Sequence, residues 1–324
     1  MRPLVYLVMI ITFAALLWRR DSAPEPDKPV NAMQAAEQPV KKRPVPMTAL
    51  MVKDGYLYTG DADGHIRVLD VSNGQLLHDW YGHLGIIRSF IAQENSIFSI
   101  GGRGSIGHWG LQGEPKRRHR LIGHHLNGAA VLPDGGFVVV GDRGVVARLG
   151  DGARWRSNGI HGRAGFGAAT SPDGTQVATT GADGQVRIWA ADSGAEIKSW
   201  RAHKQWVSVV HWETDGIWTA GTDGFIKRWD AIGIPLGQPI RTPNKEVQRF
   251  IISSEFFVTA GMENALGIYD RNKKSLLRTI STGNTPIISL ALKGNLLYGA
   301  RPTGGVSIWD VTNGKEIATL PTIF

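Results

Sequence analysis

Seven ten-residue stretches of this chain line up at intervals of forty residues without a slip. They read DADGHIRVLD (61–70), GGRGSIGHWG (101–110), GDRGVVARLG (141–150), GADGQVRIWA (181–190), GTDGFIKRWD (221–230), GMENALGIYD (261–270) and RPTGGVSIWD (301–310). Each joins a tight-turn signature to a short alternating segment. A period this constant means one supersecondary unit used repeatedly, and a unit of this size cannot bury its faces without neighbours.

Four short strands can be read in each unit. In the fifth unit they are WVSVVHW (206–212), IWTAG (217–221), FIKRW (225–229) and a poorer fourth after Pro235. The fourth unit has a clearer last strand in AEIKSW (195–200). Asp-Gly pairs follow the first strand at 54–55, 134–135, 173–174 and 215–216, and precede the third at 63–64, 183–184 and 223–224. A third turn carries Gly74, Gly194 or Gly314. These are hairpin signals, so each unit is an antiparallel meander. Seven such wedges packed radially leave only short edges. The sequence therefore predicts an all-β fold, a seven-bladed β-propeller over residues 46–324. Every unit runs in order from first to fourth strand, which leaves ring closure to packing of the first blade on the seventh.

Gly82-His83, Gly123-His124, the looser Ala202-His203, and Trp-Asp at 229–230 and 309–310 resemble the WD40 repeat family. The resemblance covers residues 46–320. It implies that His203, Thr219, Asp223 and Trp229 form a structural tetrad tying the outer sheet to the inner loop. A hydrolase triad of Thr, His and Asp is the rival reading, but a buried indole N–H needs an acceptor and a satisfied buried network rigidifies a fold. Thr179, Asp183 and Trp189 repeat most of the set, with His161 displaced. His83, Ser99 and Trp109 have Arg103 where Asp belongs, and Leu149 replaces the Trp in the third unit. No catalytic residue, metal site or cofactor is expected: adjacent His124 and His125 point to opposite faces of a strand, no Gly-rich loop precedes a helix, and the chain has no cysteine. Zero cysteine also fits an oxidising compartment, where stray thiols are a hazard.

The net charge is +8. Seven basic and four acidic side chains fall in residues 1–46, leaving the repeats mildly basic. That suits an acidic partner without indicating nucleic acid. LVYLVMIITFAALLW (4–18) is apolar except for Thr12 and flanked by Arg2 and Arg19-Arg20. The expectation here is a transmembrane or signal-anchor segment over 1–20, although its helix would span only ~22 Å. The alternative is a cleaved signal peptide. A Pro-rich linker follows over 21–45. The resulting expectation is a bacterial inner-membrane protein with a periplasmic propeller, the opposite orientation being the alternative.

In a propeller, residues opening the first strands and those in the turn between strands two and three share one face. Arg88, Arg103, Arg143, Arg163, Trp206 and Gln248 fall at such positions and are the candidate partner-binding residues, suited to an acidic, partly apolar and membrane-associated protein. Trp206 could instead pack between blades. The basic run PKRRHR (115–120) aligns with an outermost strand, where charge prevents strand-to-strand association. The function expected is a non-catalytic protein-interaction scaffold. The alternatives are a quinoprotein-like assembly factor, which DVSNGQLLHDW and DVTNGKEIATL also suit, and an enzyme or ligand binder using the central channel.

Overall fold

A computed structural model describes residues 45–150 and 154–321. Twenty-eight strands form seven four-stranded antiparallel sheets, spanning 47–81, 87–120, 126–157, 165–201, 207–241, 249–281 and 289–320. In every sheet the strands are ordered as in the chain. No sheet borrows a strand from elsewhere among the described residues.

Seven buried apolar clusters hold the ring together, and each draws on two adjacent blades. Seven blades with seven shared cores form a closed ring. The seam between blades 1 and 7 is packed like the rest: Met47, Leu50, Leu57 and Leu69 meet Ala291, Tyr298, Ala300, Val306 and Ile308. One hydrogen bond adds to it, from the Leu50 amide to Ser289 Oγ at 3.0 Å. The seven first strands neighbour one another around the axis and so wall the central channel.

Tryptophans on or beside fourth strands pack outside three of these seams. Trp80 meets Trp109 of the next blade at 5.8 Å, Trp155 meets Trp189 at 6.0 Å and Trp200 meets Trp229 at 6.0 Å. The turn leading into the next blade's fourth strand must pass close to these rings. A Cβ on Gly194 would lie 2.3 Å from the Trp155 ring, and one on Gly113 would lie 2.7 Å from Trp80. Both glycines also hold positive φ, at +70° and +98°, which a side chain would strain.

The first strands carry a bulge near their start in blades 1 to 5, and the extra residue is Thr48, Arg88, Asn127, Phe166 or Ser208. Three of these stitch one blade to the next. Thr48 Oγ1 donates to Ile87 O at 2.6 Å, Asn127 Nδ2 to Gly165 O at 2.9 Å and Ser208 Oγ to Val247 O at 2.5 Å.

Two fourth strands are short: Arg156–Ser157 in blade 3 and Ile240–Arg241 in blade 5. Pro235, which has no N–H to donate, makes an isolated bridge to Trp229, and regular pairing resumes only at Ile240. The expected anchor over 1–20 lies outside the described residues, as does the expected linker over 21–45 except for Val45 at its end. Among the described residues no helix is long and apolar enough to cross a membrane. The expected transmembrane helix therefore has no support in the described fold.

The closing seam gives a direct test. Leu57 is fully buried in it, and Leu57→Ala is expected to cost ~2–5 kcal/mol in urea unfolding. A loss below ~1 kcal/mol would mean that this seam contributes little to closure.

Candidate functional site

In blade 5, Thr219 on the second strand lies opposite Lys227, two residues before Trp229 on the third. Trp229 Nε1 donates to Thr219 Oγ1 at 2.9 Å, Thr219 meets His203 Nε2 at 2.9 Å, and His203 Nδ1 meets Asp223 Oδ1 at 2.8 Å. Since the hydroxyl accepts from the indole, its own hydrogen goes to Nε2, and the Nδ1–H donates to the carboxylate. Burial pushes the imidazole below its ordinary pKa against the pull of Asp223. Burial pushes Asp223 up, but the His203 bond and charge outweigh it and its carboxyl sits below the usual range. Thr219 is fully buried, and its hydroxyl is engaged by the indole and the imidazole.

Blade 4 completes the same network. Trp189 Nε1 donates to Thr179 Oγ1 at 2.7 Å, and His161 bridges Thr179 at 2.8 Å and Asp183 at 3.1 Å. His161 therefore occupies the place that its sequence position made it seem displaced from. In blade 2, Trp109 donates to Ser99 at 2.7 Å, and His83 bridges Ser99 and Ser105, each at 2.6 Å. Ser105, two residues past Arg103, takes the role that Asp183 and Asp223 hold elsewhere. In blade 3 the partner moves the other way: His124 Nδ1 meets Asp142 Oδ1 at 3.0 Å, one residue before Arg143. Blades 6 and 7 use different chemistry. Thr259 Oγ1 donates to Asn244 Oδ1 at 2.9 Å, while Arg301 bonds Ser307, Thr282 O and Thr285 and lies over the Trp309 ring. Sequence reasoning missed Ser105, Asn244 and Arg301 because none is of the residue type sought; only Asn244, 41 residues after His203, stands near the register of the residue it replaces.

The face bearing the turns between strands two and three is not uniform around the ring. At one register position stand Asp63, Arg103, Arg143, Asp183, Asp223, Glu263 and Thr303. Asp183 and Asp223 are engaged by imidazoles, and Glu263 Oε1 accepts the Lys245 amide at 3.0 Å. Arg103 and Arg143 sit at φ +58° and +54°, each followed by glycine, so the turn fixes their backbone direction. Both are exposed, as is Arg163 on the loop leading into blade 4. Arg103, Arg143 and Arg163 thus belong to consecutive blades on one face. Trp206 is half-buried, its ring 5.5 Å from Phe166 of blade 4. Gln248 is half-buried at the head of blade 6.

Arg88 faces solvent within the channel wall, as does Arg249 of blade 6, which sequence reasoning passed over. Burial within the surrounding wall pushes both guanidiniums below their ordinary values, and the Arg88 charge pushes Arg249 further, to about 10. On the outer edge of blade 2, Arg118 Nη2 caps Gly82 O at 2.7 Å beside the Trp109 ring, and Lys116 reaches Asn95 O at 3.3 Å. Two cations of this basic strand are thus used by the protein's own backbone. Among the described residues no cluster of His, Asp and Glu could hold a metal. His124 turns to Asp142, while His125 accepts the Arg103 amide at 3.2 Å.

The WD domain, G-beta repeat family matches residues 166–190 and 194–230. Over these two segments the chain is similar to WD repeats. The matched segments run from blade 4 through the third strand of blade 5, the blades whose networks have the full His, Thr, Asp and Trp set. Among curated proteins, the chain is 28% identical over 153 residues to a pre-rRNA-processing protein, crb3/ipi3, of Schizosaccharomyces pombe, covering 47% of this chain and 30% of that protein. It is 27% identical over 159 residues to a periodic tryptophan protein 2 homolog of Dictyostelium discoideum, covering 46% and 17% respectively. With WD repeat-containing protein 1 of Xenopus tropicalis it shares 22% identity over 169 residues, covering 45% and 26%. The chain spans less than a third of the length of each of these relatives. Among solved structures, the computationally designed Ika8 protein superposes with a TM-score of 0.61 at 20% identity, over 83% of this chain and 98% of that one. That likeness concerns the fold alone.

These relatives are eukaryotic, which corrects the expectation of a bacterial inner-membrane protein with a periplasmic propeller. That expectation rested on residues 4–18, which lie outside the described residues. The absence of cysteine, which fits an oxidising compartment, selects no compartment by itself.

Two outcomes test the buried networks. Thr219→Val keeps the shape but removes the acceptor of Trp229 and the partner of His203, and is expected to cost ~1–3 kcal/mol in urea unfolding. His83 is held down to about 4, first by burial and then by Arg118. The unfolded chain therefore takes up a proton near pH 6.5 that the folded chain refuses until pH falls to about 4. Stability is expected to fall by ~3 kcal/mol as pH drops through that window. His83→Gln should flatten this slope, and an equally steep decline in the variant would assign it to other groups.

Proposed function

We propose that this chain is a non-catalytic scaffold that binds proteins through the face carrying Arg103, Arg143 and Arg163, with Arg88, Trp206 and Gln248 toward the channel. The reading is carried by one observation. At the register position where blades 4 and 5 spend an acid on an internal imidazole, blades 2 and 3 present exposed arginines. Fixed cations from three consecutive blades suit an acidic partner surface, and the exposed part of Trp206 supplies an apolar element beside them. WD-repeat relatives named for processing or for the repeat itself agree with a scaffold rather than an enzyme. The Thr–His–Asp arrangement does not favour catalysis, because its hydroxyl is committed to an indole and an imidazole.

Capture of native partners by cross-linking the full chain provides the test. Arg103→Glu combined with Arg143→Glu is expected to abolish capture, whereas Lys198→Glu on the exposed outer strand of blade 4 leaves it intact. Capture in the wild type should weaken as salt rises from about 50 to about 300 mM, as exposed charges are screened. Equal capture by both variants would move the binding surface elsewhere.

A further inference from the structure

The outer end of the seam between blades 2 and 3 is built from smaller side chains than its counterparts. Between blades 1 and 2, and between blades 4 and 5, a fourth-strand tryptophan opposite Ile66 or Val186 packs on a third-strand tryptophan opposite Ile97 or Ile217. Between blades 2 and 3 the same two register positions hold His119, opposite Ile106, and Leu149, opposite Phe137. His119 packs on the Phe137 ring, 5.4 Å away. A cleft of about 270 Å³ is left at this seam, with an apolar wall of Leu121, Ala147 and Leu149.

Cations border the cleft. Arg156 stands opposite Ala147 on the short fourth strand of blade 3, and Arg154 lies two residues before it. Both are exposed. Neutral acceptors orient Arg156: Nε donates to Asn158 Oδ1 at 2.9 Å and Nη2 to His124 Nε2 at 2.5 Å. Arg148 also lines the cleft, but its charge is met by Asp134. Among the described residues no carboxylate is paired with Arg154 or Arg156. Buried Val139 stands where Ser99, Thr179 and Thr219 accept an indole N–H in blades 2, 4 and 5. An aromatic ring without a donor therefore suits this seam, since an unmet N–H is costly there.

We infer that this cleft takes up one phenylalanine side chain from an acidic segment of a partner protein, the ring covering Leu149 and the adjacent carboxylates meeting Arg154 and Arg156. Burial of the ring against the apolar wall supplies affinity, and the two guanidiniums select the acidic sequence around it. The cleft lies at the outer rim of the ring and does not depend on the arginines of the turn face. It gives the scaffold a second point of contact.

A fluorescein-labelled EEFEE peptide added to the full chain tests this by fluorescence anisotropy. Saturable binding is expected below about 1 mM, and an EEAEE peptide should bind at least ~10-fold more weakly, the scale of losing a buried ring. Arg154→Glu combined with Arg156→Glu is also expected to weaken EEFEE binding by at least ~10-fold. Arg103→Glu, on the turn face, should leave it within about twofold, the range expected for an uninvolved exposed charge. Leu149→Phe supplies the ring from the chain itself and should abolish peptide binding with Tm kept or raised. If that variant instead lowers Tm, the exposed Arg154 and Arg156 substitutions decide. Absence of saturable binding in the wild type would overturn the inference, as would equal binding of EEFEE and EEAEE or undiminished binding by a folded Leu149→Phe variant. Losses in Arg103→Glu equal to those at Arg154 and Arg156 would overturn it too. Competition by phenylacetate at the same concentration as unlabelled EEFEE would assign the cleft to a small aromatic acid and not to a protein segment. If EEFEE fails to bind while native capture still depends on Arg103 and Arg143, the face reading survives and only the cleft fails.

Discussion

Every feature of this molecule depends on blades being unable to bury their own faces. A four-stranded sheet of about thirty-five residues has two apolar sides and no second layer, so its neighbours must supply the cover. The seven shared cores are that cover, and each belongs to a seam rather than to a blade. Stability is thereby distributed: weakening one seam exposes surface on two blades. Among the described residues the closing seam has no chain connection and no borrowed strand, so its core must replace both. Met47 to Leu69 packed on Ala291 to Ile308 does so with the same kinds of side chain used at the other six.

Much of this was legible in the sequence because the ring forces a strict period. Turn glycines, Asp-Gly pairs and alternating segments recur every forty residues, so strand count, order and blade number followed from spacing. The network of His203, Thr219, Asp223 and Trp229 could be placed because its members sit at fixed offsets from the turn. The short fourth strand of blade 5 was marked by Pro235. What the spacing could not convey is substitution of one chemical solution for another. Ser105 does the work of an aspartate for His83, and Asn244 that of a histidine for Thr259. An imidazole in a dry site needs an oxygen at its Nδ1, and either a hydroxyl or a carboxylate meets that need. Nothing local to Ser105 distinguishes it from any strand serine.

Relations between distant blades were hidden for a different reason. Arg88 and Arg249 are separated by half the ring, and no pattern within a single unit relates them. Their relation exists only once first strands from all seven blades wall a common axis. Trp206 shows the same limit from the other side. Its sequence position allowed either an exposed anchor or a residue packed between blades, and the ring it meets, Phe166, comes from the preceding unit.

The cationic rim and the irregular networks have a common physical origin. In blades 4 and 5 the third residue of the turn between strands two and three is the aspartate that orients the buried imidazole, so that position cannot face a partner without giving up an internal bond. Blade 2 moves this duty two residues onward to Ser105, and blade 3 moves it one residue back to Asp142. Both shifts keep the imidazole satisfied, and in both blades the turn position that is aspartate in blades 4 and 5 is arginine. A neutral serine has a consequence that aspartate does not. It offers no charge to hold a proton on the ring, so His83, buried and with Arg118 nearby, titrates far below its ordinary value, at about 4. The departures from the repeat pattern in blades 2 and 3 are therefore compensated internally, each imidazole keeping an oxygen partner at Nδ1.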